Sequence, residues 1–242
     1  MTQAAVTETT AEMAEQAQPE EPKIPTVRCS AIGAPCIRKI WYESVSGMEA
    51  VFSQDTLRIF EVGTELEPLV VDWLREDGYT VDYNPGSQEA ETEIIIPIPG
   101  GQISGHHDCI IRRPEGDIMV DIKTMKEQAY LKWKKMGTLE KNLGYAMQVT
   151  LYAGAMGLPY AGICGVNKNN SQYHLDVWEF DRGLFDITVA RAGIVLDHTE
   201  APVPGSYQVE PTAQGWKFVD KEMETWVCNY CWLKDQGICP GQ

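Results

Sequence analysis

The first 22 residues contain no lysine or arginine and almost no large apolar side chain, while Glu8, Glu12, Glu15, Glu20 and Glu21 supply charge of one sign. A secretory signal peptide needs a basic start and an apolar run, so this segment is not one. Its composition predicts a disordered acidic tail over residues 1–24. Basic residues stay scarce beyond it: 20 Lys and Arg stand against 35 Asp and Glu, a net charge of -15. That balance excludes a general nucleic-acid coat protein. A long hydrophobic run is also missing. The most apolar stretch, Tyr152 to Val166, is interrupted by Gly154, Gly157 and Pro159 and is too short to span a bilayer. A soluble, cytoplasmic protein with no membrane partner is expected. No internal repeat is present, and a 43% hydrophobic chain of 242 residues can bury one real core, so residues 25–242 are expected to form a single domain.

Helical patterning is expected over residues 35–46 and again over 53–77, where Leu66, Leu69, Val70, Trp73 and Leu74 make an apolar stripe that Gly78 ends. Short strands are expected at 79–83 and 93–98, with "NPGSQ" as the turn between them. From Lys126 to Gly157 the pattern is helical with a break near Gly137. Strands "YAGICGVN" and "YHLDVWEF" then flank the turn "KNNSQ", and helices are expected over 182–199 and 228–234. This order predicts an α/β fold, a mixed sheet flanked by helices.

The run from Ile103 to Thr124 is rich in Ile, Val and Met and is interrupted once, by Arg113-Pro114-Glu115-Gly116, a four-residue hairpin loop. Closing the hairpin there pairs Arg112 with Asp117 and sets Asp108 opposite Asp121. Alternation places Lys123 on the face of Asp121 and turns Ile122 away into a core. Two facing carboxylates repel unless something neutralises them, and a divalent metal does so most simply. Removing the Asp121 charge is therefore expected to relieve metal-free protein. A third acid, Glu67, borders the apolar stripe of the long helix, four residues after Gly63. That glycine costs the helix about 1 kcal/mol relative to Ala and clears the surface beside Glu67. His106 and His107 precede Asp108 and are expected to be structural.

Against the acidic background, Lys123, Lys126, Lys132, Lys134, Lys135 and Lys141 are opposed only by Glu127 and Glu140. The run is either a solvated helix face or a track for phosphates, with Lys132, Lys134 and Lys135 as its candidate contacts.

Glu67, Asp108 and Asp121-Ile122-Lys123 together resemble the active-site pattern of the PD-(D/E)xK nuclease superfamily: a helical acid, an aspartate, then acid-x-lysine on the next strand. The later "QVTLY" resembles the Gln-xxx-Tyr motif of the RecB-like branch, at Gln148 and Tyr152. The resemblance implies a restriction-endonuclease-like fold and a Mg²⁺- or Mn²⁺-dependent exonuclease acting on DNA ends. Glu67, Asp108, Asp121 and the carbonyl of Ile122 would hold the ions, Lys123 would assist catalysis, and Gln148 and Tyr152 would contact DNA. RecB-like members usually carry histidine at the helical-acid position. Glu67 is closer to the phage-type exonucleases.

Seven cysteines in a chain of this type call for a role other than disulfides. Cys228, Cys231 and Cys239 form a C-x2-C-x7-C pattern, a metal-ligand spacing that fits zinc or an iron-sulfur centre equally. With Cys36 near the start of the ordered chain, the set resembles the four-cysteine CRISPR-associated exonucleases and the AddB-type helicase-nucleases. That resemblance implies a [4Fe-4S] cluster joining the chain ends, with zinc as the alternative and Cys29 as the rival fourth ligand. It also implies a helicase, a recombinase or a CRISPR adaptation protein as partner, and 5′ to 3′ polarity. Cys109 and Cys164 fall at strand core positions and are expected to be plain buried residues.

Overall fold

The structure, a computed structural model, describes residues 23–84 and 93–239. The acidic tail expected over 1–24 lies outside the described residues up to residue 22, as does the "NPGSQ" turn beyond Asn84. The chain begins with β1 (Thr26–Arg28), α1 (Cys29–Ile32), α2 (Ile37–Ser44) and the long α3 (Gln54–Glu76). Strands β2 (Thr80–Tyr83), β3 (Glu93–Ile98), β4 (Gly101–His106), β5 (Cys109–Arg112) and β6 (Ile118–Met125) follow. Helices α4 (Glu127–Met136), α5 (Thr138–Lys141) and α6 (Leu143–Met156) lead to β7 (Tyr160–Asn167), β8 (Tyr173–Glu179) and α7 (Arg182–Asp197). The described chain closes with a hairpin, β9 (Gln208–Thr212) and β10 (Gly215–Val219), then α8 (Thr225–Asn229) and α9 (Trp232–Asp235).

Five strands form the central sheet in the order β2-β5-β6-β7-β8. Only the β6–β7 pair is parallel, and the helices α4, α5 and α6 make its crossover. The β5–β6 hairpin has the register expected from its loop, with Cys109 facing Val120 and Ile111 facing Ile118. The apolar run is broken a second time, however, at His107 and Asp108. Strand β4 leaves the hairpin and joins β1 and β3 in a separate three-stranded sheet. A mixed sheet flanked by helices is present as expected, but the strands are divided among three sheets among the described residues.

Alternation along β6 sorts its side chains between two cores. Ile118, Val120 and Ile122 pack with Val70, Val71 and Leu74 of α3, whereas Met119 and Met125 pack on the side of α6, with Val149, Leu151 and Tyr152. Helix α3 is held by those three fully buried residues, each worth about 1.5–3 kcal/mol on burial. Its N-terminus is capped by Ser53, whose hydroxyl accepts the Thr56 N–H at 3.2 Å. Gly78, at φ +93°, turns the chain out of it. The apolar stripe differs from expectation at one position: Leu69 is 48% exposed and Val71 is buried in its place. The sheet is met by the 67-70-71-74 row of the helix, which leaves Leu69 to one side. Pro68 lies inside α3 and removes one backbone donor, a cost of about 3 kcal/mol directly after Glu67.

Candidate active site

Strand β6 carries Asp121 and Lys123 on its α6-facing side, and the segment before β5 brings Asp108 next to them. Asp108 Oδ2 accepts the backbone N–H of Ile122 at 2.6 Å. The 107–108 bend that turns Asp108 inward is pinned from β2's end. Asn84 donates its backbone N–H to the Asp108 carbonyl at 2.7 Å and its side-chain amide to the His107 carbonyl at 3.0 Å. Sequence reading missed Asn84. Its only local signal was a polar residue closing a strand.

Asp121 is 1% exposed and held from two sides. Gln148 Nε2 donates to Oδ1 at 3.0 Å, and the Lys123 ammonium lies 2.5 Å from Oδ2. That second contact is an ion pair, and it is the one that meets Oδ2. The Lys123 ammonium also lies 5.5 Å from the ring centroid of Tyr145, three residues before Gln148 on the same helix. Tyr145 is a cation–π neighbour that sequence reading also missed.

Gln148 and Tyr152, which the motif put on the DNA, are 6% and 2% exposed. Gln148 Nε2 reaches the Tyr152 hydroxyl at 3.4 Å as well as Asp121. In this structure both side chains support Asp121 from within.

Burial pushes the Asp108 carboxyl well above its usual range, and the neighbouring Asp121 charge adds to the shift while Lys123 opposes it. Glu67 is half-buried and raised for the same first reason, with Lys123 opposing and Asp121 adding. Burial alone would lower the Lys123 ammonium, but the charges of Asp121 and Asp108 outweigh it and raise it overall. One cation therefore faces three acids, and negative charge is in surplus. Hard oxygen donors with surplus charge fit a divalent cation of the Mg²⁺ or Mn²⁺ type. Among the described residues no three His, Cys, Asp or Glu side chains stand together at the spacing of a single bound ion, and it is the Lys123 ammonium that meets Asp121. Glu67, Asp108, Asp121 and the Ile122 carbonyl are the groups that would hold the cation.

His106 ends β4 and is exposed. Burial lowers His107 below the usual imidazole range, and its buried Nδ1 has no hydrogen-bond partner among the described residues. Lys132, Lys134 and Lys135 are exposed along α4, the helix that leaves β6 directly after the site, while Tyr130 and Trp133 bury the opposite side.

At the far end of the chain, Cys36, Cys228, Cys231 and Cys239 line one small pocket with Pro204, Val227, Leu233 and Lys234. Cys36 precedes α2, Cys228 lies in α8, and Cys231 precedes α9, so the pocket joins both ends of the described chain. Burial raises the Cys36 thiol, and Cys231 and Cys239 add to the effect. The Arg38 guanidinium lies 3.7 Å from the Cys239 sulfur. Cys29 is elsewhere, buried beside Tyr152, and does not line this pocket. Cys109 and Cys164 are buried in the core between α3 and the sheet.

The mixed sheet flanked by helices is a restriction-endonuclease-like α/β fold. Among solved structures, the crystal structure of SSO0001 matches with a TM-score of 0.50 at 18% identity, covering 91% of this chain and 88% of that one. The alkaline exonuclease LHK-Exo from Laribacter hongkongensis matches with a TM-score of 0.50 at 15% identity, covering 72% of this chain and 87% of that one. No family model and no curated protein matches the chain. At these identities the likeness is one of fold. Among the described residues, no helix is long and apolar enough to cross a membrane.

Proposed function

We propose that this chain is a divalent-metal-dependent deoxyribonuclease that hydrolyses phosphodiester bonds from single-stranded DNA ends. The observation that carries the reading is the meeting of Asp108, Asp121, Lys123 and Gln148 at one buried point, with Glu67 close enough to feel their charges. The fold likeness to an alkaline exonuclease supports it. Glu67, Asp108, Asp121 and the Ile122 carbonyl would hold Mg²⁺ or Mn²⁺, which would supply Lewis acidity towards a phosphoryl oxygen and lower the pKa of water. The protein supplies the rest. Gln148 and the Ile122 N–H fix the two aspartates, so little reorganisation is needed at the moment of reaction. Lys123 would orient the attacking water and offset charge that builds on the phosphorus-bound oxygens. The sequence resemblance favours 5′ to 3′ polarity.

The four-cysteine pocket is proposed to hold a [4Fe-4S] cluster. The reading rests on the resemblance of the cysteine pattern and on the common pocket that the four cysteines line. A single zinc ion held by the same four thiolates is the alternative.

A Mg²⁺ and Mn²⁺ digestion series with linear and circular single strands tests the activity. Linear DNA should be degraded and EDTA should stop it. Intact linear substrate across the whole series would leave a non-catalytic DNA-end binder, whereas cutting of circles would make the protein a structure-specific endonuclease. A non-catalytic binder gains nothing from three partly buried acids that repel phosphate, which weighs against that rival.

The α4 lysines give a further expectation. Changing Lys132, Lys134 and Lys135 together to Ala should weaken DNA binding and flatten the dependence of log K on log salt by up to about three units, with the melting temperature unchanged. An unaltered salt slope would identify the run as a solvated face.

A further inference from the structure

Lys141 closes the basic run but lies beyond α4, at the end of α5, where it lines a cavity of about 430 Å³. Arg191 of α7, Asn142, Leu143 and Gly144 at the start of α6, and Trp226 of α8 line the same cavity. In a chain with 35 acids against 20 basic residues, two cations and no carboxylate line this space. No side chain of the candidate metal site lines it, so the two sites are separate.

Arg191 is 2% exposed, and its guanidinium donates to three backbone carbonyls: from Nε to Tyr207 at 2.9 Å, from Nη2 to Ala34 at 2.8 Å, and from Nη1 to Ile32. A guanidinium has five N–H groups, so these bonds leave two over, and none of the three acceptors carries a negative charge. Burial lowers its pKa to about 10, which keeps it charged at neutral pH. A charge taken out of water without a counter-charge is costly, and an anion in the adjoining cavity would offset that cost. The start of α6 favours the same kind of ligand. Its first N–H groups, those of Leu143 and Gly144, have no acceptor within the helix, and a 14-residue helix presents partial positive charge there. A Cβ at Gly144 would stand 2.8 Å from the Gly33 carbonyl oxygen, so glycine lets the turn after α1 close on α6 and wall the cavity. Trp226 donates its indole Nε1 to the Glu224 carboxylate, which holds a ring that is 59% exposed beside the cavity.

We propose that this cavity is a second nucleotide site that takes a nucleoside monophosphate unit: the phosphate meets Arg191, Lys141 and the start of α6, and the base stacks on Trp226. A free deoxynucleotide and an internal unit of a single strand carry the same chemistry. The volume suits a ligand of that size. Neither contact needs a divalent ion, so the inference stands apart from the metal-site reading given above.

The test is calorimetric titration of the full chain with dAMP, deoxyadenosine and a short oligo-dA strand, all in EDTA so that no divalent ion contributes. Wild type should bind dAMP, and inorganic phosphate should compete with it. Lys141→Ala should weaken dAMP by roughly three- to fivefold and leave deoxyadenosine unchanged, since only the former carries the phosphate. Trp226→Ala should weaken both by about tenfold, and Trp226→Phe, which keeps a stacking face, should restore most of the affinity. Arg191→Lys keeps the charge but loses the planar fork, and dAMP affinity should fall with it. If that variant does not fold, Lys141 and Trp226 decide, because both are exposed and their replacement leaves the core intact. Matching losses for oligo-dA would support the proposal with the strand as the source of the nucleotide, and losses confined to dAMP would support it with the free nucleotide as the source. No dAMP binding in EDTA, or binding that Asp108→Asn removes while Lys141→Ala and Trp226→Ala keep it, would overturn the second site. Absence of metal-dependent cleavage would instead overturn the nuclease reading and leave this site as it is.

Discussion

Asp108→Asn should abolish cleavage, by about 10³-fold or more, and leave the metal-free protein as stable as wild type or about 1 kcal/mol more stable. The amide keeps an oxygen for the Ile122 N–H and loses the charge that repels Asp121. The pH dependence follows from the direction of the shift. Asp108 binds its proton more tightly in the folded protein than in the unfolded chain. Its charge therefore costs nothing below the ordinary carboxylate range and costs progressively more as pH rises through the raised folded value. The stability gap between variant and metal-free wild type should be absent near pH 3 and open towards neutral pH, by about 2–4 °C for a chain of this size. Mg²⁺ should stabilise wild type more than the variant, and more strongly at higher pH, because the cation needs the ionised carboxylate. Metal-free Asp108→Asn melting several degrees below wild type at pH 8 would show that the charge is structural.

The relief that sequence reasoning assigned to Asp121 moves to Asp108 for a geometric reason. Asp121 carries the Lys123 ion pair and the Gln148 hydrogen bond. Asp121→Asn would leave Lys123, a quarter exposed, without its partner. It should destabilise the protein by about 1–3 kcal/mol, less than for a fully buried pair, as well as stopping cleavage.

The second large effect is expected at the cysteine pocket. Protein prepared without air should be brown, absorb broadly near 400 nm and contain about four irons per chain. Cys228→Ser or Cys231→Ser should remove the colour and lead to aggregation, since Cys36 and Cys228 close a loop of about 190 residues whose entropy the unfolded chain would regain. The loss should exceed that of Cys29→Ser, which lies outside the pocket. Colourless protein with one zinc per chain would replace the cluster by zinc while keeping all four cysteines as ligands. Protein without metal, equally stable in the serine variants, would end the clasp reading.

Local chemistry made much of the fold readable. Ser53 and Gly78 bound α3, Gly157 and Pro159 separate α6 from β7, and the Arg113–Gly116 loop set the register that places Asp108 beside Asp121. Each of these signals is carried by a few consecutive residues. The missed elements had no such signal. Strand β1 is three residues long and exists through parallel pairing with β4, more than 70 positions away. The β9–β10 hairpin lies between the helices expected over 182–199 and 228–234, in a stretch for which no strand was expected.

The sequence by itself determined the helix and strand periods, the hairpin register, the acids and lysine that the structure brings together, and three of the cysteines that share one pocket. Period and turn chemistry are local properties of the chain, and ligand type is a property of the side chain. Only the tertiary structure decided that β4 leaves the hairpin for a second sheet, that Gln148 and Tyr152 face Asp121 from within, and that Cys36 and not Cys29 meets Cys228, Cys231 and Cys239. Those choices rest on which surfaces meet across long separations in sequence. Cys29 and Cys36 are only seven residues apart, and the packing of α1 against α6 sets one beside Tyr152 while the other lines the pocket at the chain ends.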